Sequence, residues 1–538
     1  MIPPVTQRVL DFLADARSYP HRTTAVRLVQ THASWVFIAS PFVYKVKKPV
    51  NFGFLDFSTL ERRKANCESE VRLNRRLAAE IYRGMEPVCE TGGGLEFGDR
   101  GRIVEWTVKM REMAPECFLS HRLKHGEVTT ETMDRVVERL ERFYADQPPL
   151  PAAEVALARQ RLDESVRGNF DAARDFTGHS LSAAALGAIE RFSAEFEARH
   201  RDLLDSRIAQ GWIRDCHGDL HAEHIHLTPE AVQIYDCIEF NEAFRHIDVA
   251  SDIAFLAMDL DFNGRADLAQ HIAGRFAALL RDDGLPRLMD YYKCYRACVR
   301  GKVENLHSTG ETVGEAERLA SLDLARRYFR LALRYAIAGS APGVWVFWGR
   351  VASGKSALAE ALEAETGWRV VSSDRVRKAL AGVQLCQRGT AEERRTLYSE
   401  AMTQRVYDTL CDEAIHTAKD GQNVILDATF SNHRHRDALR RGLERHGLGS
   451  VWIVAEASPE TALQRLRQRD QEGSAISDAR SEDYDRLSSR FEAPAELSAA
   501  NCVRVSTEDD PDTTLFRLLN DLAARQARLH AGPELLRP

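Results

Sequence analysis

The chain has 538 residues and a net charge of −7, with 44% hydrophobic and 28% charged residues. This is an ordinary globular composition, and the length exceeds what one hydrophobic core supports, so two to four domains are expected. The acidic balance argues against a general nucleic-acid binder, which normally carries a basic excess. Apolar runs are shorter than the roughly eighteen residues of a membrane span. The ten cysteines are scattered and no export signal is evident, so we expect reduced thiols in a cytoplasmic protein.

The first half of the chain predicts a small β-rich region followed by a larger helical region. Residues 1 to about 20 show helical apolar spacing, and SWVFIASPFVYKVKKPV predicts two strands separated by Pro41. A charged helix is predicted from Leu60 to about Glu80, before a strand in RIVEWTVKM. Helical patterns then continue to about residue 338, interrupted at 215–240 by DCHGDLHAEHIHL and VQIYDCIEF.

The second half predicts alternating strands and helices. It follows the segment AIAGSAPG, residues 336–343, whose small residues, Gly and Pro mark a candidate domain boundary. The strand-like stretches are VWVFWG, WRVVSS, NVILDATF, SVWIVAEA and CVRVST. Their alternation with helical stretches is typical of an α/β domain with a doubly wound parallel sheet.

The strongest motif is GRVASGKS, which fits G-x-x-x-x-G-K-[ST] between a predicted strand and a predicted helix. Gly349 and Gly354 allow the backbone, including Ser353, to surround phosphate groups with its N–H groups. Lys355 is expected to reach the β- and γ-phosphates of ATP, and the Ser356 hydroxyl to hold Mg²⁺.

Two acids follow neighbouring strands of the predicted sheet, where open α/β sheets bind ligands. Asp374 is a candidate to orient or deprotonate an acceptor hydroxyl, and Asp427 a candidate for the Mg²⁺ shell. A helix cap or turn is the structural alternative for each.

In RLRQRDQEGSAISDAR, Arg465, Arg467 and Arg469 precede a Gly/Ser break, as in a mobile lid that brings positive charge to the phosphoryl group. Arg469 is the preferred candidate.

This half resembles the small-molecule and polynucleotide kinases of the P-loop superfamily, a group that includes AAA-type ATP-binding and zeta-toxin-like kinases. The Walker A stretch, SSD, LDATF and SDAR carry the resemblance over residues 343 to about 520. The resemblance implies phosphorylation of a hydroxyl and does not name the acceptor.

A second motif, HGDLHAEHIHL, is followed by IYDCIEF, whose Asp236 comes nine residues after Leu227. A kinase-type site needs one carboxylate to accept the hydroxyl proton and another to hold Mg²⁺, for which Asp219 and Asp236 are candidates. A lysine against the α- and β-phosphates is also needed. Lys45 is the candidate, although Lys47 shares its strand face, and Glu70 on the following helix could pair with it.

These residues resemble the aminoglycoside phosphotransferase-like branch of the protein-kinase superfamily. HGDLH and the later acid carry the match, which implies Asp219 as catalytic base and Asp236 as Mg²⁺ ligand. Asp248 and Asp252 resemble a structural pair of that branch. Two features depart from it: His224 stands where a second Mg²⁺ ligand, Asn, is usual, and no Gly-rich phosphate loop is present. A neutral imidazole is a poor Mg²⁺ ligand, so the metal is held differently or the domain is weak or inactive.

Four histidines in this loop also raise the question of zinc: His217, His221, His224 and His226. Their spacing fits no standard zinc pattern, and a kinase loop explains the first histidine without a metal. The sequence therefore disfavours a zinc site.

The order of the two motifs resembles bacterial proteins described as bifunctional aminoglycoside phosphotransferase/ATP-binding proteins. The predicted fold is a bilobal α+β kinase-like domain at 1–338, with a small lobe at about 25–115 and a helical lobe at about 116–338. An α/β P-loop domain at 343–525 and a tail at 526–538 complete it.

The predicted function is that of a bifunctional, ATP- and Mg²⁺-dependent kinase that phosphorylates hydroxyls of small molecules, without a membrane or nucleic-acid partner. Two alternatives remain open. In the first, the N-terminal domain is a pseudokinase that binds a ligand and regulates the P-loop kinase. In the second, the chain is a zeta-toxin-like kinase.

Overall fold

The computed structural model describes residues 4–51, 53, 55–310, 313–385, 391–472, 476–493, 497 and 501–529. Contacts divide the chain into two compact units, each discontinuous in sequence. Unit 1 is Met1–Ser165 with Asp202–Tyr292, and unit 2 is Val166–Arg201 with Lys293–Pro538. The domain boundary at residues 336–343 stays a prediction, but by contact the helical residues 166–201 and 293–338 group with the C-terminal part.

The described elements of the first half are mostly helices, with ten strands among them. In chain order they are α1 (Pro4–Ala14), β1 (Arg27–Gln30), β2 (Ser34–Ala39), β3 (Phe42–Lys47), α2 (Leu60–Ala78), β4 (Tyr82–Thr91), β5 (Gly94–Phe97), β6 (Arg102–Arg111), α3 (Leu119–Lys124), α4 (Thr130–Asp146), α5 (Ala152–Arg174), α6 (Ala183–Arg199), α7 (Arg201–Ala209), β7 (Ile213–Asp215), β8 (Ile225–Leu227), β9 (Val232–Ile234), β10 (His246–Asp248), α8 (Val249–Phe262), α9 (Ala266–Leu280), α10 (Leu285–Ser308) and α11 (Glu315–Ile337).

Unit 1 contains a six-stranded antiparallel sheet in the order β1-β2-β3-β6-β4-β5. Side chains alternate between the two faces of a strand. Tyr44 and Val46 of β3 are therefore buried in one apolar cluster, with Val9 and Leu13 of α1. The intervening Lys45 lies on the opposite face, as does Lys47. That alternation places both lysines together, as the sequence predicted.

The loop that carries HGDLH in unit 1 lies between two short antiparallel pairs, β7 with β10 and β8 with β9. It packs beside α8, a helix whose residues are almost all buried. The Asp248 carboxylate caps α8 by accepting a hydrogen bond from the Ala250 N–H. The kinase-like bilobal architecture predicted for residues 1–338 stays a prediction.

Unit 2 contains a five-stranded parallel sheet in the order β12-β13-β11-β14-β15. The elements of this half are β11 (Gly343–Trp348), α12 (Lys355–Thr366), β12 (Arg369–Ser372), α13 (Ser373–Ala381), α14 (Ala391–Leu397), α15 (Glu400–Lys419), β13 (Val424–Asp427), α16 (His433–Glu444), β14 (Gly449–Glu456), α17 (Pro459–Glu472), α18 (Tyr484–Ser489), β15 (Cys502–Ser506) and α19 (Pro511–Leu529). The central strand β11 is apolar and buried nearly throughout, as expected for a parallel strand covered on both faces. The prediction of a parallel α/β sheet is confirmed.

Three helices of unit 2, α6, α11 and α19, pack against one another although they are far apart in the sequence. At Gly187 of α6, an added Cβ would lie 2.8 Å from the Phe516 ring of α19. Leu518, Leu519 and Leu522 of α19 are fully buried. Helix α19 continues to Leu529, into the predicted tail at 526–538, whose residues 530–538 lie outside the described part.

Helices long and apolar enough to cross a membrane are absent from the described residues.

Candidate functional sites

The Walker A residues of unit 2 form a tight loop between β11 and α12. Gly349 has φ +150°, Ala352 +57° and Gly354 +84°, so the backbone turns through conformations that favour glycine. A Cβ at Gly349 would lie 2.5 Å from the Ala455 carbonyl oxygen, closer than real contacts allow. Lys355 and Ser356 then begin α12, as predicted, and the helix N-terminus faces the loop.

The loop is held in shape from outside by two side chains. The Thr507 hydroxyl, just after β15, donates to the Ser353 carbonyl at 2.7 Å. The Arg465 guanidinium of α17 donates to the Ala352 carbonyl at 3.3 Å and to the Thr507 carbonyl at 2.5 Å. Arg465 was considered only as a lid residue from the sequence, and Thr507 was not identified. The sequence signal available for Thr507 was its hydroxyl side chain at the end of a predicted strand of the parallel sheet.

The preferred lid arginine, Arg469, lies half-buried in the last turn of α17. Its predicted role over the phosphates stays a prediction. Part of the Gly/Ser break, residues 473–475, lies outside the described residues. The following SDAR segment is described, and its Asp478 is buried 3.7 Å from the Lys378 ammonium of α13. The Tyr398 hydroxyl also donates to Asp478, at 3.4 Å.

The predicted Mg²⁺ ligand Asp427 ends β13, in register with Phe347 of β11 and Ser372 of β12. Burial raises the pKa of its carboxyl, while the Lys355 charge and a hydrogen bond with Ser356 oppose that rise. Asp427 Oδ1 is buried and has no hydrogen-bond partner among the described residues. An acceptor oxygen left in this state, beside the Ser356 hydroxyl, fits a hard cation such as Mg²⁺.

Asp374 lies in the first turn of α13, directly after β12, and is half-buried. Its negative charge contributes to the raised pKa of Asp427, so the two carboxylates lie close at the carboxyl ends of adjacent strands. Lys355, Ser356, Asp374 and Asp427 therefore lie at one edge of the parallel sheet, and the roles assigned to them from the sequence stay predictions.

In unit 1, five charged side chains form a largely buried network on the β3 face opposite the α1 cluster. The Lys45 ammonium lies 2.9 Å from Glu70 Oε1 and 2.7 Å from Asp236 Oδ1. Lys47 lies 2.5 Å from Glu70 Oε2 and 2.6 Å from Glu239 Oε1. Both lysines contact Glu70, the acid predicted to pair with the phosphate-binding lysine, and Lys45 alone of the two also contacts Asp236. The assignment of Lys45 to the phosphates stays a prediction. Glu239, three residues after Asp236, was missed, although IYDCIEF contains it.

Asp236 adopts φ +60°, a left-handed conformation that is costly for a residue with a Cβ. Burial disfavours its charged form, but the positive charge of Lys45 outweighs this and holds the Asp236 pKa well below its usual range. The same balance, with Lys45 and Lys47, lowers the pKa of Glu70. Strain at a charged cleft residue is common at functional sites.

The loop that carries Asp219 is fixed by acids of α8. Asp252 accepts hydrogen bonds from the His217 and Gly218 N–H groups at 3.0 and 2.9 Å. Asp259 accepts from the Ala222 N–H at 2.7 Å. The predicted structural role of Asp252 therefore has a direct geometric basis.

Asp248 is buried beside Arg207, which also pairs with Asp282. Together with its capping of α8, this gives Asp248 a structural position.

His224, which stands where Asn was expected, lies between the two candidate catalytic acids. Its Nδ1 donates to the Asp219 carbonyl at 2.9 Å, and its Nε2 lies 3.6 Å from Asp236 Oδ2. Burial and the neighbouring His221 lower the pKa of His224 to about 4, so its imidazole is neutral near pH 7. His221 Nε2 lies 3.5 Å from Asp219 Oδ2.

Comparison with known proteins gives two kinds of match. Residues 344–494 match the family model described as an AAA domain, which confirms the predicted C-terminal domain type. The chain is also 32% identical, over 420 residues or 77% of its length, to two uncharacterized proteins. These are Rv2004c of Mycobacterium tuberculosis (strain ATCC 25618 / H37Rv) and Mb2027c of Mycobacterium bovis (strain ATCC BAA-935 / AF2122/97). The match covers 80% of each relative.

Among solved structures, a gluconokinase from Sinorhizobium meliloti 1021 aligns with 35% of this chain and 95% of its own. The identity is 16% and the TM-score 0.26.

Proposed function

We propose that unit 2 is an ATP-dependent kinase. It transfers the γ-phosphoryl group of ATP to a hydroxyl of a small molecule. The whole chain belongs to the family of the mycobacterial proteins Rv2004c and Mb2027c. The observation that carries the proposal is the junction of a Walker A loop with Asp374 and Asp427 at the ends of adjacent parallel strands. A P-loop ATPase needs the loop and one acid, whereas a kinase also needs a group that handles the acceptor hydroxyl.

The residues divide the work of the transfer. The N–H groups of residues 349–356 and the Lys355 ammonium bind and orient the phosphates of ATP. Ser356 and Asp427 would hold Mg²⁺, which neutralises charge on the β- and γ-phosphates when bound. Asp374 orients the acceptor hydroxyl and takes its proton as the new O–P bond forms. The bond between the γ-phosphorus and the bridging oxygen breaks, and ADP leaves.

A second candidate function concerns unit 1, where the Lys45–Glu70 pair and Asp236 support a nucleotide-binding site. Such a site fits both a second phosphotransferase, with Asp219 as base, and a pseudokinase that regulates unit 2. The donor set around Asp219 does not match the oxygen ligands that Mg²⁺ prefers, because two imidazoles lie within it. The residues around Asp219 therefore do not fit a Mg²⁺ site.

The proposal is tested by measuring ATP consumption over a panel of polyols, sugars, nucleosides and aminoglycosides. Lys355→Ala should abolish the unit 2 activity, while Lys419→Ala, which removes an exposed lysine of the same unit, should not. Wild-type protein that consumes no ATP with any acceptor, or Lys355→Ala protein that retains full turnover, would contradict the proposal.

The same panel separates the roles of unit 1. Asp219→Ala should abolish turnover of one acceptor if unit 1 is a phosphotransferase, and leave every turnover in place if it only binds a ligand. Asp283→Ala, an exposed acid of unit 1, is the matched control. Growth arrest on expression that depends on Lys355 would instead indicate the toxin-like alternative.

A further inference from the structure

The loop between β7 and β8 brings together three side chains that the proposed kinase activity of unit 2 does not use. One ligand atom from each of Asp219, His221 and His224 lies within 4.8 Å of the others. We propose that these three residues bind a divalent transition-metal ion of the zinc type, with the Asp236 carboxylate as a fourth ligand. The inference is independent of the function proposed for either unit.

Two of the separations between donor atoms match those of a small tetrahedral site. Donor atoms about 2.0–2.1 Å from a central ion lie roughly 3.4 Å from one another. His221 Nε2 and Asp219 Oδ2 are 3.5 Å apart, and His224 Nε2 and Asp236 Oδ2 are 3.6 Å apart. One ligand atom each of Asp219, His221 and His224 lies within 4.8 Å of the others, so an ion bound there would draw these side chains inward, and Asp236 reaches it from beside His224 Nε2.

The orientation of His224 also suits a ligand. Its Nδ1 donates to the Asp219 carbonyl at 2.9 Å, which fixes the tautomer and leaves the Nε2 lone pair directed elsewhere. Metal-bound histidines commonly have their second ring nitrogen engaged in this way. The His221 and His224 rings are 4.0 Å apart between centroids, and His221 also packs 5.7 Å from the Phe255 ring. The loop N–H groups bound by Asp252 and Asp259 hold this arrangement before any ion arrives.

The donor set selects the class of ion. Two imidazoles with carboxylates suit Zn²⁺ and neighbouring first-row ions, whereas Mg²⁺ prefers oxygen donors and retains its waters. The residue spacing alone disfavoured zinc, because H-x-x-H within a short loop fits no standard pattern. The sequence pattern does not include the Asp219 and Asp236 carboxylates, which come close to the histidines only when the chain is folded.

The site has a consequence for the chemistry of unit 1. Coordination to a divalent cation lowers the basicity of the Asp219 carboxylate and so weakens it as a proton acceptor for a substrate hydroxyl. Occupancy would therefore oppose a base role for Asp219 and favour the binding-module alternative.

The test uses the full chain, stripped with a chelator and titrated calorimetrically with ZnCl₂ or MgCl₂. The wild type should bind Zn²⁺ with one saturable site at these residues, which a large excess of Mg²⁺ does not displace. His221→Gln and His224→Gln should each weaken this binding by at least about 100-fold, because loss of even an outer-shell partner costs 10–100-fold. His416→Gln, on an exposed helix face of unit 2, should leave it unchanged. Equal zinc affinity in wild type and both loop variants, or equal displacement by Mg²⁺, would overturn the proposal.

A second measurement needs no variant and so does not depend on variants that fold. X-ray absorption at the zinc edge of the one-to-one wild-type complex should show two imidazoles with oxygen ligands. A shell of thiolates, available from the chain's cysteines, or of oxygens alone would place the ion elsewhere and overturn the proposal.

Discussion

Gly354 and Gly367 offer a matched pair for testing the P-loop, because they flank the two ends of α12 in similar left-handed conformations. Their φ values are +84° and +74°. A Cβ at Gly367 meets nothing nearer than Arg330, at 3.8 Å, whereas a Cβ at Gly354 lies 3.0–3.1 Å from Thr507 and Arg465. Alanine at either position costs about 1–2 kcal/mol for the left-handed backbone.

Alanine at Gly354 should cost further stability because Thr507 and Arg465 must give up hydrogen bonds to make room for its Cβ. Moving Thr507 and Arg465 aside breaks their hydrogen bonds to the Ser353 and Ala352 carbonyls. At about 1 kcal/mol for each bond, Gly354→Ala should lower the free energy of unfolding by about 3–4 kcal/mol, against about 1–2 kcal/mol for Gly367→Ala. It should also distort the loop that binds phosphate.

The assay is urea unfolding followed by tryptophan fluorescence, with and without ATP and Mg²⁺. A bound ligand at 100 times its Kd stabilises a protein by about 2.7 kcal/mol. Gly367→Ala should retain this stabilisation and Gly354→Ala should lose it. If both variants are destabilised equally and both are stabilised by ATP, the reasoning about Thr507 and Arg465 is wrong.

Three further predictions concern charged groups. Asp427→Asn should lower phosphoryl transfer by at least about 100-fold, the usual loss for one preorganised electrostatic group, while ATP binding measured calorimetrically persists; unchanged transfer would remove Asp427 from the site. Arg207→Met leaves two buried carboxylates without their partner, so thermal denaturation should show a loss of about 3–5 kcal/mol. The exposed Arg199→Met control should lose no more than about 1 kcal/mol, and similar losses in both would contradict the argument. If unit 1 binds nucleotide, Lys45→Met should abolish the binding of a fluorescent nucleotide to that unit. Both proteins compared, with and without Lys45→Met, carry Lys355→Ala, which blocks nucleotide binding at the P-loop.

The sequence predicted the parts of the fold that depend on local pattern. The buried run VWVFWG followed by GRVASGKS was sufficient for β11, the loop and α12, because motif and strand context coincide. Alternation in FVYKVKK was likewise sufficient to place Lys45 and Lys47 on one face.

The residues that were missed act across long sequence distances. Thr507 contacts the P-loop from the end of another strand, and Glu239 joins its network through Lys47 of a distant sheet. Neither contact leaves a periodic or spaced pattern. The grouping of α6 with α19 was inaccessible for the same reason, because amphipathic helices show which face is buried and not which partner buries it.

The pairing of α6 with α19 bears on how the protein is made. Helix α6 precedes the P-loop strands in the chain, whereas α19, which packs against it, follows all of them. Until α19 has been synthesised, the part of α6 that it covers, around Gly187, lacks this partner. Unit 2 therefore cannot complete its core before α19 is made, and shortened chains that end before α19 should depend on chaperones or be degraded.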